Sequence, residues 1–272
     1  MKNVLYTLIL LLLTINVRAD NYKYTSGGRQ ASMGYTSATS TDFWSVTNNQ
    51  AGLAFYNQSG VGLYYENRFL LKELGFQQAA FALKTKYGSF GVSASYSGDA
   101  NYNTAMGGIA YSMMLGKNIA AGVQFDVLNT SLPENYGKRT NVTFEIGIMA
   151  KITENVIFGA HTFNPIQAKL SDYNDERIPS TINAGLSYIF NNKLVIAAEA
   201  FKQSDRNMEF RSGLEYKFVD FAFARIGIAT QPYRYTFGVG LQLNNFFIDL
   251  SSNVHQVLGY SPQISLQYKF GK

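Results

Sequence analysis

The sequence predicts an all-β protein, a transmembrane antiparallel β-barrel of about fourteen strands. Three observations lead there. Apolar and polar residues alternate through segment after segment from Val61 onward, ending in Gln263-Ile264-Ser265-Leu266-Gln267-Tyr268-Lys269-Phe270. A period of two sustained this long, with one side consistently apolar, marks a closed barrel with one face in lipid. Short and long connections alternate between the segments, and the N-terminus reads as an export signal.

Lys2 is followed by an apolar run over 4–15 and then by Val17-Arg18-Ala19. A charged start, an apolar core and small residues at −3 and −1 describe a secretory leader cleaved after Ala19. The run is shorter than the ~20 residues that span a bilayer as a helix. No Cys follows, which excludes a lipid anchor, a disulfide or a thiolate metal site. The reading divides the chain into a leader (1–19), an N-terminal segment (20–58) and a barrel (59–272). An exported chain patterned for lipid, with no later long apolar run, points to the outer membrane of a Gram-negative bacterium.

Composition agrees. Aromatics make up 15% of residues, with 19 Tyr and 20 Phe but one Trp, which suits strands and interfacial belts. Charged residues are also 15%, against ~25% in soluble domains. The net charge of +5 includes Lys2 and Arg18 and is scattered, which argues against nucleic acid as a partner.

Residues 20–58 do not alternate. They are rich in Gly, Ser and Thr and hold Trp44. Such a segment either lies at the membrane surface or folds into the lumen. Strands are predicted near 60–68, 75–85, 89–98, 103–115, 119–129, 140–152, 155–164, 180–190, 193–202, 207–218, 221–230, 233–243, 246–252 and 261–270, with twelve as the alternative count. Val142, Phe144, Ile146, Ile148 and Ala150 would face lipid, and Thr143, Glu145, Gly147, Met149 and Lys151 the lumen. Tight turns fall at Tyr87-Gly88, Gly116-Lys117-Asn118, Thr153-Glu154-Asn155, Asn191-Asn192, Val219-Asp220 and Asn244-Asn245. Mostly longer connections, such as 130–139 and 165–179, lie between them. All five prolines fall in or beside the long connections, where no ladder N–H is needed. A soluble sandwich would carry charge on the outward face, which here is apolar.

The search for chemistry yields no catalytic or metal site and implies no cofactor. The histidines are His161 and His255. Ser252 and His255, with Asp249 nearby, are the nearest approach to a nucleophile and base, but a hydrogen-bonding loop histidine is the preferred reading. Asp172, Asp175 and Glu176 form an acidic loop cluster read as solvated. The inward phase holds Asp126, Glu145, Lys151, Glu199, Glu209, Arg211, Glu215, Lys217, Arg225, Arg234 and Asp249. These charges are expected to pair across the lumen and seat the N-terminal segment. Gly and Ser at other inward positions leave room for it. Few aromatics beyond Phe221 and Phe223 are expected to point inward, so the lumen reads as polar.

Gly27, Arg29, Met33 and Gly34, followed by Asn49, Ala51, Gly52 and Leu53, resemble the opening pattern of FadL-like outer-membrane proteins, in particular their PorV/PorQ branch. Gln50 stands where that family has Pro, which predicts a looser turn. Arg211-Ser212-Gly213-Leu214-Glu215-Tyr216, Arg225-Ile226-Gly227 and Asp249-Leu250 resemble the same branch. The resemblance implies a fourteen-stranded barrel with an N-terminal hatch, in the outer membrane of a Bacteroidetes-type bacterium. It further implies a role in type IX protein secretion or cargo attachment, with outer-membrane lipid and secretion-machinery proteins or cargo as partners. FadL-like passage of a hydrophobic small molecule is the alternative.

Overall fold

A computed structural model describes residues 24–100, 102–131, 137–169 and 177–270. The leader and the acidic cluster at 172–176 lie outside the described residues. Three short helices come first: α1 (Gly28–Ser32), α2 (Ser45–Asn48) and α3 (Gly52–Tyr56). Fourteen strands follow: β1 (Ser59–Asn67), β2 (Gly75–Thr85), β3 (Gly88–Gly98), β4 (Asn103–Met114), β5 (Ile119–Ser131), β6 (Lys138–Lys151), β7 (Val156–Phe163), β8 (Thr181–Phe190), β9 (Leu194–Gln203), β10 (Glu209–Val219), β11 (Ala222–Ala229), β12 (Arg234–Leu243), β13 (Phe246–His255) and β14 (Gly259–Phe270). Each strand pairs antiparallel with its neighbours in sequence, and β1 pairs with β14 from Ser59–Phe270 to Glu66–Gln263. The sheet therefore closes and leaves no edge.

The alternation fixes the two faces. In β6, Thr143, Glu145, Gly147 and Met149 are buried, while Val142, Ile146 and Ile148 are exposed. The outward face is apolar from strand to strand, with Leu63, Ile109, Phe125, Leu186, Ile226, Phe237 and Val239 all exposed. Where strands pair, backbone donors and acceptors bond to one another, so that the outward face presents side chains to lipid. Aromatic pairs gather at the end of the barrel that carries the tight turns: Phe90–Tyr111, Tyr188–Phe190, Tyr216–Phe218 and Phe246–Tyr268, with ring centroids 4.2 to 5.0 Å apart.

Strand ends differ from expectation most clearly at β13 and β14. His255 pairs with Gly259, so the connection is a three-residue hairpin loop. The His255 ring closes it: Nδ1 accepts from the backbone N–H of Val257 and of Leu258, each at 3.2 Å. Gly259 takes φ +85°, a backbone that only glycine adopts freely. Asp249 and His255 share the inward phase of β13, whereas Ser252 has the outward phase. The structure thus separates the serine from the acid and the histidine, and no nucleophile–base pair forms there.

A charge placed in the apolar belt tests which face meets lipid. Val239→Arg should lower folding stability by about 2–4 kcal/mol, measured by urea titration in phospholipid vesicles.

Candidate functional site

The described part of the N-terminal segment, residues 24–58, lies against the inner wall of the barrel. A Cβ on Gly227 of β11 would stand 2.1 Å from the Gly34 nitrogen, and one on Gly147 of β6 would stand 2.1 Å from Asn49 Oδ1. Backbone and side chains of the segment therefore occupy the volume that larger wall residues would fill. Gly34 itself has φ +67° and is wedged against the carbonyls of Ser212 and Ile228. Its N–H donates to Thr236 Oγ1 at 2.8 Å.

Three clusters tie segment to wall. The first begins on α1. Arg29 donates from Nε and Nη2 to the two Glu215 oxygens at 2.8 and 2.9 Å, a bidentate pair, and from Nη1 to Asp42 at 2.9 Å. Glu215 also accepts from Arg225 Nε, its cross-strand partner. Arg225 Nη1 donates to Asp249 at 2.6 Å. The other Asp249 oxygen accepts from Ser265 Oγ at 3.0 Å, and Ser265 Oγ accepts from the Gly28 N–H at 3.1 Å. The chain of contacts thus starts and finishes on the segment. Charge-assisted, bidentate contacts of this kind are the strong ones.

The second cluster lies on β9 to β12. Glu199 Oε2 accepts from the N–H groups of Ser37 and Ala38, both at 2.7 Å. Arg211 donates to Glu199 at 3.3 Å, to Glu209 at 2.8 Å and to the Tyr35 carbonyl at 3.3 Å. Glu209 also accepts from Arg234 at 2.6 Å, and the Arg234 guanidinium sits 4.8 Å from the centre of the Tyr35 ring. The Tyr35 hydroxyl meets Asn253, Gln263 and Glu66. Burial, reinforced by the facing Glu66 carboxylate, raises the Tyr35 phenol well above its ordinary pKa, so it stays protonated and donates to Glu66.

The third cluster lies on β5 to β7. Gln50 Nε2 donates to Glu145 at 2.8 Å, and Glu145 also pairs with His161 Nε2 at 2.8 Å. Gln124 bridges Glu145 and Asp126, at 3.2 and 2.7 Å. The turn at Gln50 is closed and not loose: Gly52 N–H donates to Asn49 O at 2.9 Å, and Leu53 N–H to Gln50 O at 3.0 Å. A side-chain amide here reaches Glu145, which proline could not do.

Aromatic packing completes the seat. Phe43, Trp44 and Leu53 are fully buried, and Trp44 meets Tyr64 edge-on with centroids 5.9 Å apart. Met33 is buried against Gly213, where a Cβ would stand 2.5 Å from its own Cβ. Gly27 (φ +99°) has no space for a side chain beside Trp44. The Ala51 N–H donates to Asn49 Oδ1 at 3.2 Å.

Four expectations about the lumen change. Lys151 is exposed at the turn end, with Nζ 4.8 Å from the centre of the Phe55 ring, and Lys217 pairs with Asp220 of the adjacent turn at 3.3 Å. Phe221 is exposed at the same end. The interior is also more aromatic than expected: Tyr64, Phe76 and Phe163 point inward and are buried, and Phe201 packs under Arg211 at 3.8 Å. Glu66 was missed although it shares the inward phase of β1. Near the end that carries the longer loops, Phe163 joins Met106, Leu128 and Ile178 in an apolar cluster. Ile178 comes from the β7–β8 connection, whose carbonyl accepts from Asn164 Nδ2 at 2.7 Å.

A cavity of about 50 Å³ remains between segment and wall, bordered by Arg29, Thr36, Thr39, Ile157, Ser187 and Val195. A cavity of ~150 Å³ holds benzene, so this one has room for a few waters and not for a hydrocarbon.

No protein-family model and no curated protein sequence matches the chain. Solved structures do. The barrel is similar to the toluene transporter TbuX of Ralstonia pickettii, with a TM-score of 0.66 and 14% identity over 90% of this chain and 98% of that one. It is similar to the monoaromatic hydrocarbon channel CymD, with a TM-score of 0.70 and 13% identity over 93% and 100%. A FadL homologue of Pseudomonas aeruginosa gives a TM-score of 0.68 and 12% identity over 93% and 100%. At these identities the likeness is one of fold. The chain shares the barrel fold of these structures over 90 to 93% of its length.

Arg29→Ala leaves Asp42 without its guanidinium and Glu215 with one partner. Hydrogen exchange of residues 28–42 should then report an opening easier by about 2 kcal/mol, roughly thirtyfold faster. Arg29→Lys should restore only part of that protection, because a lysine cannot make the bidentate contact.

Proposed function

We propose that the protein is a FadL-like outer-membrane channel that passes a hydrophobic small molecule, with residues 20–58 as a hatch that must shift to open the path. The observation that carries this is the near-complete correspondence of fold with hydrocarbon channels and transporters. Two features of the interior support it. Apolar side chains at Met106, Leu128, Phe163 and Ile178 cluster near the loop end, and the cavity bordered by Arg29 and Ile157 is too small to hold a hydrocarbon. In the outer membrane, the loop end faces outside and the turn end the periplasm.

The test is uptake. Cells lacking the protein should take up a radiolabelled monoaromatic hydrocarbon or long-chain fatty acid several-fold more slowly, and the purified barrel should retain such a molecule. Equal uptake of both compounds with and without the protein would exclude passage. Removal of residues 20–58 should raise single-channel conductance in planar bilayers sharply, whereas an unchanged conductance would place the segment outside the conducting path.

A PorV/PorQ-type role in type IX secretion or cargo attachment is the second reading. It draws on the pattern from Gly27 to Leu53 and on the stretches at Arg211–Tyr216, Arg225 and Asp249. These residues seat the segment on the wall, a need common to both readings. Secretion proteins or cargo co-purifying from native membranes, with no bound hydrophobic molecule, would favour it.

A further inference from the structure

The lipid face carries a groove of about 490 Å³ across β1, β2, β3 and β14. That is within the ~300–1,000 Å³ typical of small-molecule sites. Its floor is low because Ala79 of β2 lies directly opposite Ala94 of β3. Leu63 forms one wall. Across the rim run Tyr65, Gln77 and Tyr96, paired in one row across β1, β2 and β3.

The position of that rim is informative. Tyr65 stands two residues from the loop end of β1, Gln77 two from the loop end of β2, and Tyr96 two from the loop end of β3. The groove therefore has a polar, aromatic upper edge near the outer interface and a mostly apolar floor running toward the bilayer core. Gln77 is an exposed amide in the outward phase, and it makes no side-chain hydrogen bond to the described residues. At the upper edge of the apolar belt this carboxamide offers two N–H donors and a carbonyl acceptor to a lipid linkage at the same depth. A linkage with both an acceptor and a donor matches it.

We propose that this groove binds one acyl chain of a lipopolysaccharide molecule, with the amide link of that chain hydrogen-bonded to Gln77. An amide-linked chain offers a C=O for the Gln77 NH₂ and an N–H for its oxygen. The ester link of a phospholipid offers only an acceptor. Groove polarity matches an outer-leaflet lipid, with its linkage at the rim and its chain on Ala79 and Ala94. The inference rests on the outer-membrane reading of the barrel and not on passage through it.

The full-length barrel, purified in detergent, is incubated with deep-rough lipopolysaccharide, washed, and analysed for bound lipid by native mass spectrometry. On the order of one tightly held molecule per barrel is expected. Gln77→Leu should weaken retention roughly fivefold to tenfold through the lost hydrogen bonds. Ala94→Phe should abolish it by filling the floor, and Leu186→Phe on β8, on the far side of the barrel, should leave it unchanged. Heat-modifiable migration on gels verifies that each variant is folded. Equal retention by wild type, Gln77→Leu and Ala94→Phe would overturn the proposal. So would phosphatidylethanolamine displacing the lipopolysaccharide at equal concentration. Lost uptake without lost lipid retention, or the reverse, separates this site from the channel reading.

Discussion

A charge inside a filled barrel has little water to solvate it, so each one must find an opposite charge or a set of hydrogen-bond donors. This constraint organises the interior. Glu215, Arg225 and Asp249 sit on β10, β11 and β13, and Arg29 is the guanidinium supplied by the segment. Glu199 is satisfied by Arg211 and by two backbone N–H groups of the segment. Remove the segment and the wall retains carboxylates whose partners have gone. The same groups that make the wall need the segment would let water refill the lumen once it moves, because a charged wall is readily hydrated.

The apolar contacts play a different part. Phe43, Trp44, Tyr64 and Phe76 form a block on the β1–β2 side, while the ionic ties lie mostly on β9 to β14. Greasy packing is tolerant of small slides, whereas bidentate ion pairs are tied to one geometry. The segment is thus anchored by shape on one side and by charge on the other.

Much of this was legible in the sequence, and for clear reasons. Lipid on one side forces a strict two-residue period, so phases such as Val142 out and Glu145 in follow from pattern alone. Glycine and small residues at inward positions announced that something occupies the lumen. Other features were hidden because they depend on pairings across great sequence distance. Nothing local marks Gln50 as the partner of Glu145, or Tyr35 as the meeting point of Glu66, Asn253 and Gln263. Lys151 and Lys217 had the right phase but lie too close to the turns, where a long side chain reaches water. His255 looked like a possible base because proximity in sequence does not show that its ring nitrogen is already accepting two backbone N–H groups.

The segment ends at Tyr56, and β1 starts at Ser59, so Asn57 and Gln58 alone join the two. Whatever leaves the lumen stays on a leash two residues long. Its return is then an intramolecular event, with an effective concentration on the order of millimolar or more. Ties that would be feeble between separate molecules are therefore strengthened by the tether.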